Sequence, residues 1–154
     1  MWATTPTHEL EIVEAFVEIQ KKHFGDRLTL ELDVSESIKE RMIPKLVIQP
    51  VVENAIVHGF SGQDGVCQIR VTGEEKDNLL IFCVEDNGSG MTSEELEHIL
   101  EFRQEGSHHI GLNNVQRRLK MFGDESCGIK VESEYGKGTK VYINLKITDE
   151  EGER

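Results

Sequence analysis

The chain has 154 residues, 37% hydrophobic and 30% charged, with 14 Gly, 3 Pro and no low-complexity tract. That length suits one compact domain burying roughly 70% of its unfolded surface, and the composition excludes disordered, collagenous and fibrous classes. A balance of 29 acidic to 17 basic residues gives a formal charge of -12, which speaks against a phosphate-contact surface and so against nucleic acid as a partner.

The first segment, Thr7 to Phe24, sets Leu10, Val13, Val17 and Phe24 at helical intervals, with Ile12, Phe16 and Ile19 widening the stripe. Gly25-Asp26 stops it. From Arg27 to Val34 the period changes to two, with Leu28, Leu30, Leu32 and Val34 alternating with polar residues as in a half-buried strand. Lys45 to His58 is apolar over too long a run for an ordinary strand, and predicts a helix made irregular around Pro50. Val66–Gly73 and Leu79–Glu85 read as two strands joined by the polar turn Glu74–Asn78; the second is apolar on both faces and therefore central. Thr92-Ser93-Glu94-Glu95 has capping-box spacing for a short helix to about Glu101. Phe102 to Ile110 shows no period and is expected to be a mobile loop. Leu112, Val115, Leu119 and Phe122 then predict a helix ending at a Gly123 cap. Cys127–Glu134 and Thr139–Lys146 alternate as strands around the turn Tyr135-Gly136-Lys137-Gly138.

Adjacent strand pairs imply antiparallel hairpins, and three amphipathic helices cover only one face of a sheet. The expected fold is therefore an α+β, two-layer sandwich. A single domain spans 1–154, with 1–26 as a lead-in helix and 148–154 as an acidic tail that frays. No apolar run reaches the roughly 18 residues of a membrane span and no leader pattern opens the chain, so a soluble domain without direct membrane contact is expected. Cys67, Cys83 and Cys127 form neither a disulfide framework nor a metal knuckle, and read as buried thiols of a reducing cytoplasm.

Four segments carry candidate chemistry. On an ideal helix Asn54 and His58, four apart, share a side beside the buried stripe of Ile48, Val52 and Ala55. An amide oxygen can ligate a hard cation such as Mg²⁺ and an imidazole can donate to a phosphate oxygen; from that helix alone, a solvated amide and a surface or core-satisfied histidine is the plainer reading. Glu85-Asp86-Asn87-Gly88-Ser89-Gly90-Met91 leaves the end of an apolar strand. A carboxylate there can accept from an exocyclic amine while the glycines allow close backbone approach, or the run is simply a tight turn. Ser107 to Asn114 runs from the loop into a helix N-terminus, where unpaired N–H groups suit an anion; the plainer reading is a connection with solvated histidines. Gly136-Lys137-Gly138-Thr139 alone reads as a hairpin turn.

In this order, Asn54 within Val-Glu-Asn-Ala, Asp86-x-Gly88-x-Gly90, Ile110-Gly111-Leu112 and Gly136-x-Gly138-Thr139 resemble the N, G1, G2 and G3 boxes of the GHKL ATPase superfamily. That superfamily includes DNA gyrase, MutL and the sensor histidine kinases. Ile43 to Ala55 and Gly111 to Leu119 resemble the LytS-type sensor histidine kinases, and Glu9-Leu10-Glu11, Ile19-Gln20-Lys21 and Phe24-Gly25-Asp26-Arg27 resemble that family's lead-in, so the likeness covers nearly the whole chain.

The resemblance implies a Bergerat-type sandwich, a mixed sheet covered on one face by helices, binding Mg-ATP. Asp86 would read the adenine amine with Thr139 in support. Asn54 would ligate Mg²⁺ and His58 would touch the phosphates. Gly88 and Gly90 would let the backbone pass the nucleotide, and Ile110, Gly111 and Leu112 would close over the phosphates. It implies transfer of the γ-phosphoryl group to a His on an upstream dimerisation domain outside this chain, in the cytoplasmic part of a membrane-anchored receptor with a response regulator downstream.

Three positions depart from the pattern. Pro50 stands where many relatives carry a Glu base, which argues against fast hydrolysis and against an anti-sigma-factor-like serine kinase. Glu53 sits beside Asn54 but projects toward Gln49, able to assist only from the flank. Val57 replaces a frequent phosphate-reaching Lys, and His109 replaces a frequent Gly, which keeps a non-catalytic, nucleotide-dependent interaction module as an alternative. A metal site of His58, His98, His108 and His109 lacks a fixed ligand framework. His8 lacks the sequence context of a phosphoacceptor.

Overall fold

The computed structural model describes residues 3–60, 65–98, 110–123 and 126–146, with the side chains of residues 58, 59, 110 and 111 outside that description. The five strands predicted from the sequence form one sheet: β2 (Leu28–Val34), β4 (Cys67–Lys76), β5 (Leu79–Asp86), β6 (Gly128–Glu134) and β7 (Gly138–Lys146). Their order is β2-β4-β5-β7-β6, so β5 is central as its two-sided apolar character implies. β2 runs parallel to β4 and every other pair is antiparallel, giving a mixed sheet.

Register decides which side chains meet. Val71, Val84, Val141 and Val131 form one cross-strand row, and Phe82 and Ile143 lie opposite each other in the next. These side chains face α1 (Pro6–Phe24), α2 (Gln49–Asn54) and α4 (Ile110–Phe122). Val13, Val17, Val52, Phe82, Val115 and Leu119 are sealed from solvent, each worth about 1.5–3 kcal/mol of burial. The opposite face is open and polar: Arg70 there lies 3.6 Å from Glu31 and 3.7 Å from Asp33. Cys67 and Cys127 are buried as expected, but Cys83 is only half-buried because it stands on this open face.

Several local expectations change. The β4–β5 turn is not five residues long: β4 runs on to Lys76, and Asp77-Asn78 turn the chain with φ of 53° and 70°, the left-handed pair of a tight hairpin. Residues 45–48 are not helical. α2 begins at Gln49 with Pro50 in its first turn, where a missing N–H costs nothing. The irregularity lies further on, where Ala55–Gly59 is wound as a π-helix. The capping box is present: Glu95 N–H donates to Thr92 Oγ1 at 3.2 Å and Thr92 N–H to Glu95 Oε1 at 2.9 Å. It opens α3 (Ser93–Glu97), shorter than predicted. A two-stranded pair of β1 (Ala3–Thr4) and β3 (Ile43–Pro44) was not anticipated, each strand being too short to show a period. The expected loop at 102–109 and the tail at 148–154 lie outside the described residues. Among the described residues no helix is long and apolar enough to cross a membrane.

Candidate functional site

Leu80, Phe82, Val84 and Asp86 occupy alternate positions of β5 and face the helices. The fourth place in an apolar row is thus a carboxylate. Asp86 is 8% exposed, and its Oδ1 accepts the Gly88 N–H at 2.8 Å. Burial pushes its pKa up from 3.8 to about 6, while the backbone N–H groups of Gly88 and Thr139 pull it down and the Glu85 charge adds to the rise.

The same register places Ile69, Asp86, Thr139 and Ser133 in one row across four strands. Ser133 Oγ lies 2.9 Å from Thr139 Oγ1, donates to the Gly138 carbonyl at 3.0 Å and accepts the Met91 N–H at 2.8 Å. With its only proton on Gly138, Ser133 receives the Thr139 proton, and Thr139 keeps lone pairs to offer beside the carboxylate. Ser133 escaped the sequence reading; the available signal was its position opposite Thr139 across a recognised hairpin turn.

Glycine is required here by the protein's own backbone. Gly90 has φ of 72°, and a Cβ would run into the Glu134 carbonyl oxygen; Gly138 has φ of 125°, and a Cβ would run into the Asp86 carbonyl oxygen. Gly88 contributes its N–H. The Gly136 N–H donates to the Ser89 carbonyl at 2.6 Å, so the turn after β5 is clamped to the β6–β7 hairpin. Asn87 ties the same turn to β4, accepting the Gln68 N–H at 2.8 Å and donating to the Val66 carbonyl at 3.0 Å.

The second group sits on α2. Asn54 ends it, half-buried, and its carboxamide makes no hydrogen bond to a described residue. Glu53 lies beside Gln49 as helix geometry predicts, with Gln49 Nε2 donating to its carboxylate. Residue 58 lies in the segment Ala55–Gly59 that follows Asn54 and is wound as a π-helix. The His58 side chain lies outside the described residues. Val57 is 53% exposed, where a longer cationic side chain would reach solvent. α2 packs on α4, and the π segment on β7.

α4 is described from Ile110 onward, so residues 110, 111 and 112 stand at the start of its described part. Leu112 is fully buried. Its side chain belongs to the core, leaving only its backbone for a ligand. Gln116 Oε1 accepts the Ile129 N–H at 2.7 Å and joins α4 to β6. His108 and His109 lie outside the described residues. No cluster of three His, Cys, Asp or Glu suited to a metal occurs among the described residues. A concavity of about 670 Å³ lined by Arg70, Thr72, Cys83, Lys140 and Tyr142 lies on the open face, across the sheet from the Asp86 side chain.

Residues 39–149 match the model of the histidine kinase-, DNA gyrase B-, and HSP90-like ATPase family. The sensor histidine kinase YesM of Bacillus subtilis is 34% identical over 95% of this chain and 24% of its own length. The sensor protein LytS of Bacillus cereus is 31% identical over 93% of this chain and 25% of its own length. The chain therefore spans about a quarter of these relatives. Among solved structures, the catalytic domain of histidine kinase ThkA superposes with a TM-score of 0.72 at 14% identity, covering 95% of this chain and 97% of that one. The histidine kinase AdeS of Acinetobacter baumannii gives 0.68 at 16% identity, over 96% and 67%. The mixed sheet with its one-sided helical cover is thus the fold of these catalytic domains, as the four boxes implied. The chain belongs to the histidine kinase-, DNA gyrase B-, and HSP90-like ATPase family, and within it is an ATP-binding domain of the sensor-histidine-kinase type.

Proposed function

We propose that this domain, as one unit over residues 1–154, binds Mg-ATP between β5 and the helices and delivers the γ-phosphoryl group to a histidine on a dimerisation domain outside this chain. The observation that carries the reading is Asp86, a buried carboxylate at the end of the central strand, held by two N–H groups on the helix-covered face. A desolvated acceptor fixed on rigid backbone suits an exocyclic amine, with Thr139 beside it and Gly88 and Gly90 shaping the turn. The Asn54 carboxamide, uncommitted among the described residues, is a suitable oxygen for a hard cation. Bound Mg²⁺ would neutralise phosphate charge. The N–H groups of Ile110, Gly111 and Leu112 would meet the phosphates, with His58 adding a donor.

Pro50 offers no base, and Glu53 is engaged by Gln49. Transfer to imidazole, which is already nucleophilic, fits that lack better than activation of water or a hydroxyl. The domain in isolation should hydrolyse ATP slowly and not phosphorylate itself. It would act in the cytoplasmic part of a membrane-anchored receptor, with a response regulator downstream. Calorimetric titration of ATP with and without Mg²⁺ tests the reading. Saturable binding that Asp86→Asn weakens about tenfold or more supports it; the absence of binding by the folded wild type at millimolar ATP overturns it.

A further inference from the structure

Glu9, on α1, is 1% exposed, and no cation among the described residues pairs with it. Its compensation comes from backbone: Oε2 accepts the Leu46 N–H at 2.8 Å, and Oε1 accepts those of Ile48 at 2.9 Å and Gln49 at 3.3 Å. These donors lie 37 to 40 residues away, in the turn from which α2 starts. The turn is strained. Leu46 has φ of 61°, a left-handed conformation that crowds a leucine's Cβ and persists only where the surroundings over-determine it. In that conformation its N–H converges with those of Ile48 and Gln49 on one carboxylate.

We propose that Glu9 is a positioning residue for the metal end of the nucleotide site, fixing the start of α2 and through it the place of Asn54. The proposal rests on the reading of Asn54 given above. α2 is six residues long, continued only by π winding, and so short a helix does not hold its own axis or phase. Asn54 is five residues beyond Gln49, about 7.5 Å along the axis, so a shift at the start arrives undamped at the carboxamide. α1 is the firm side of the contact. It packs on β2, its Thr7 N–H donates to the Lys39 carbonyl at 3.2 Å, and the β1–β3 pair holds the segment before it. Glu9 is thus a strut from a sheet-anchored helix to the one that carries Asn54.

The test separates metal-dependent from metal-independent affinity in the 154-residue chain. ATP is titrated calorimetrically into wild type and Glu9→Gln, in excess Mg²⁺ and again in EDTA. The glutamine keeps the size but turns an NH₂ group toward backbone donors. Expected is a loss of about tenfold or more in the affinity gained from Mg²⁺, with affinity in EDTA within about twofold of wild type. The amides of Leu46, Ile48 and Gln49 should also lose protection from hydrogen exchange. An unchanged Mg²⁺ gain overturns the proposal, whatever happens to the melting temperature. Should Glu9→Gln not fold, Glu9→Asp keeps the charge but falls one methylene short; a partial loss of the gain supports the strut and a full gain overturns it. Asn54→Ala separates the two readings. If it abolishes the Mg²⁺ gain while Glu9→Gln does not, the strut alone fails. If neither variant lowers the gain, the reading of Asn54 fails and the strut with it. On an Asn54→Ala background, Glu9→Gln should cost no further gain, and an added loss would refute action through Asn54.

Discussion

Asp86→Asn should stabilise the fold while weakening nucleotide binding. At pH 7.5 the carboxylate is ionised in the folded and unfolded chains, but only the folded chain holds it out of water. The rise in pKa from 3.8 to about 6 corresponds to about 3 kcal/mol. The sign follows from its direction. A group with a raised folded-state pKa contributes fully to stability below pH 3.8, and that contribution is lost as the pH rises through about 6. Asparagine removes the charge and keeps an oxygen for the Gly88 N–H, but it must set an NH₂ group against the Thr139 N–H, returning about 1–2 kcal/mol. A net gain of about 1–2 kcal/mol remains, or roughly 2–6 °C in melting temperature for a domain of this size. The difference between variant and wild type should shrink as the pH falls from 7.5 toward 4, where the wild-type side chain is protonated. Binding should move the opposite way, losing about tenfold or more when the acceptor for the adenine amine is gone. Scanning calorimetry across pH and titration of ATP in EDTA read both arms. A variant that is less stable at pH 7.5 and binds ATP as well as wild type would refute the account of the buried charge and of its use.

Other outcomes follow from the same corner of the molecule. Below pH 6 the ratio of wild-type to Asp86→Asn affinity should fall about tenfold per pH unit as the acceptor titrates, measured against EDTA-ATP so that metal does not contribute. Ser133→Ala strands the Met91 N–H and frees Thr139, and should cost about 1–2 kcal/mol in urea denaturation, with a smaller loss of ATP affinity than Asp86→Asn. Gly138→Ala puts a methyl group into the Asp86 carbonyl at a φ of 125°, whereas Gly136→Ala, at 87°, enters open space. The first should cost about 3 kcal/mol or more and abolish binding, the second about 1 kcal/mol with binding intact.

What the sequence revealed and what it hid divide along the range of the interactions involved. Period-two alternation disclosed β2, β6 and β7, short apolar runs around a polar turn disclosed β4 and β5, and the capping box disclosed α3 because its donors and acceptors are three residues apart. Asp86 was legible as a carboxylate ending an apolar strand. Its partner Ser133 was not, since only the register of two hairpins brings residue 133 beside residue 86 through Thr139. The α2 region misled for a related reason. Its apolar run has the composition of a longer helix, yet Glu9 captures the N–H groups of residues 46, 48 and 49 from 37 to 40 residues away and sets where helix begins. A local pattern contains no trace of that capture, nor of the π winding at Ala55–Gly59.

The two ends of the site are consequently held by unlike devices. At Asp86 the backbone is fixed by sheet register, by Gly138 closing on the Asp86 carbonyl, by Gly90 closing on that of Glu134, and by the Gly136 N–H on Ser89. That clamp ties the turn after β5 to the β6–β7 hairpin, so base recognition at Asp86, on the proposed reading, should be nearly as rigid as the sheet. Asn54 has no such clamp. It rides on a six-residue helix followed by π winding, and its placement depends on how α1 seats Glu9. If Asn54 holds the metal and Asp86 the adenine, as proposed, small shifts of α1 relative to the sheet should alter metal and phosphate binding while leaving adenine binding almost untouched.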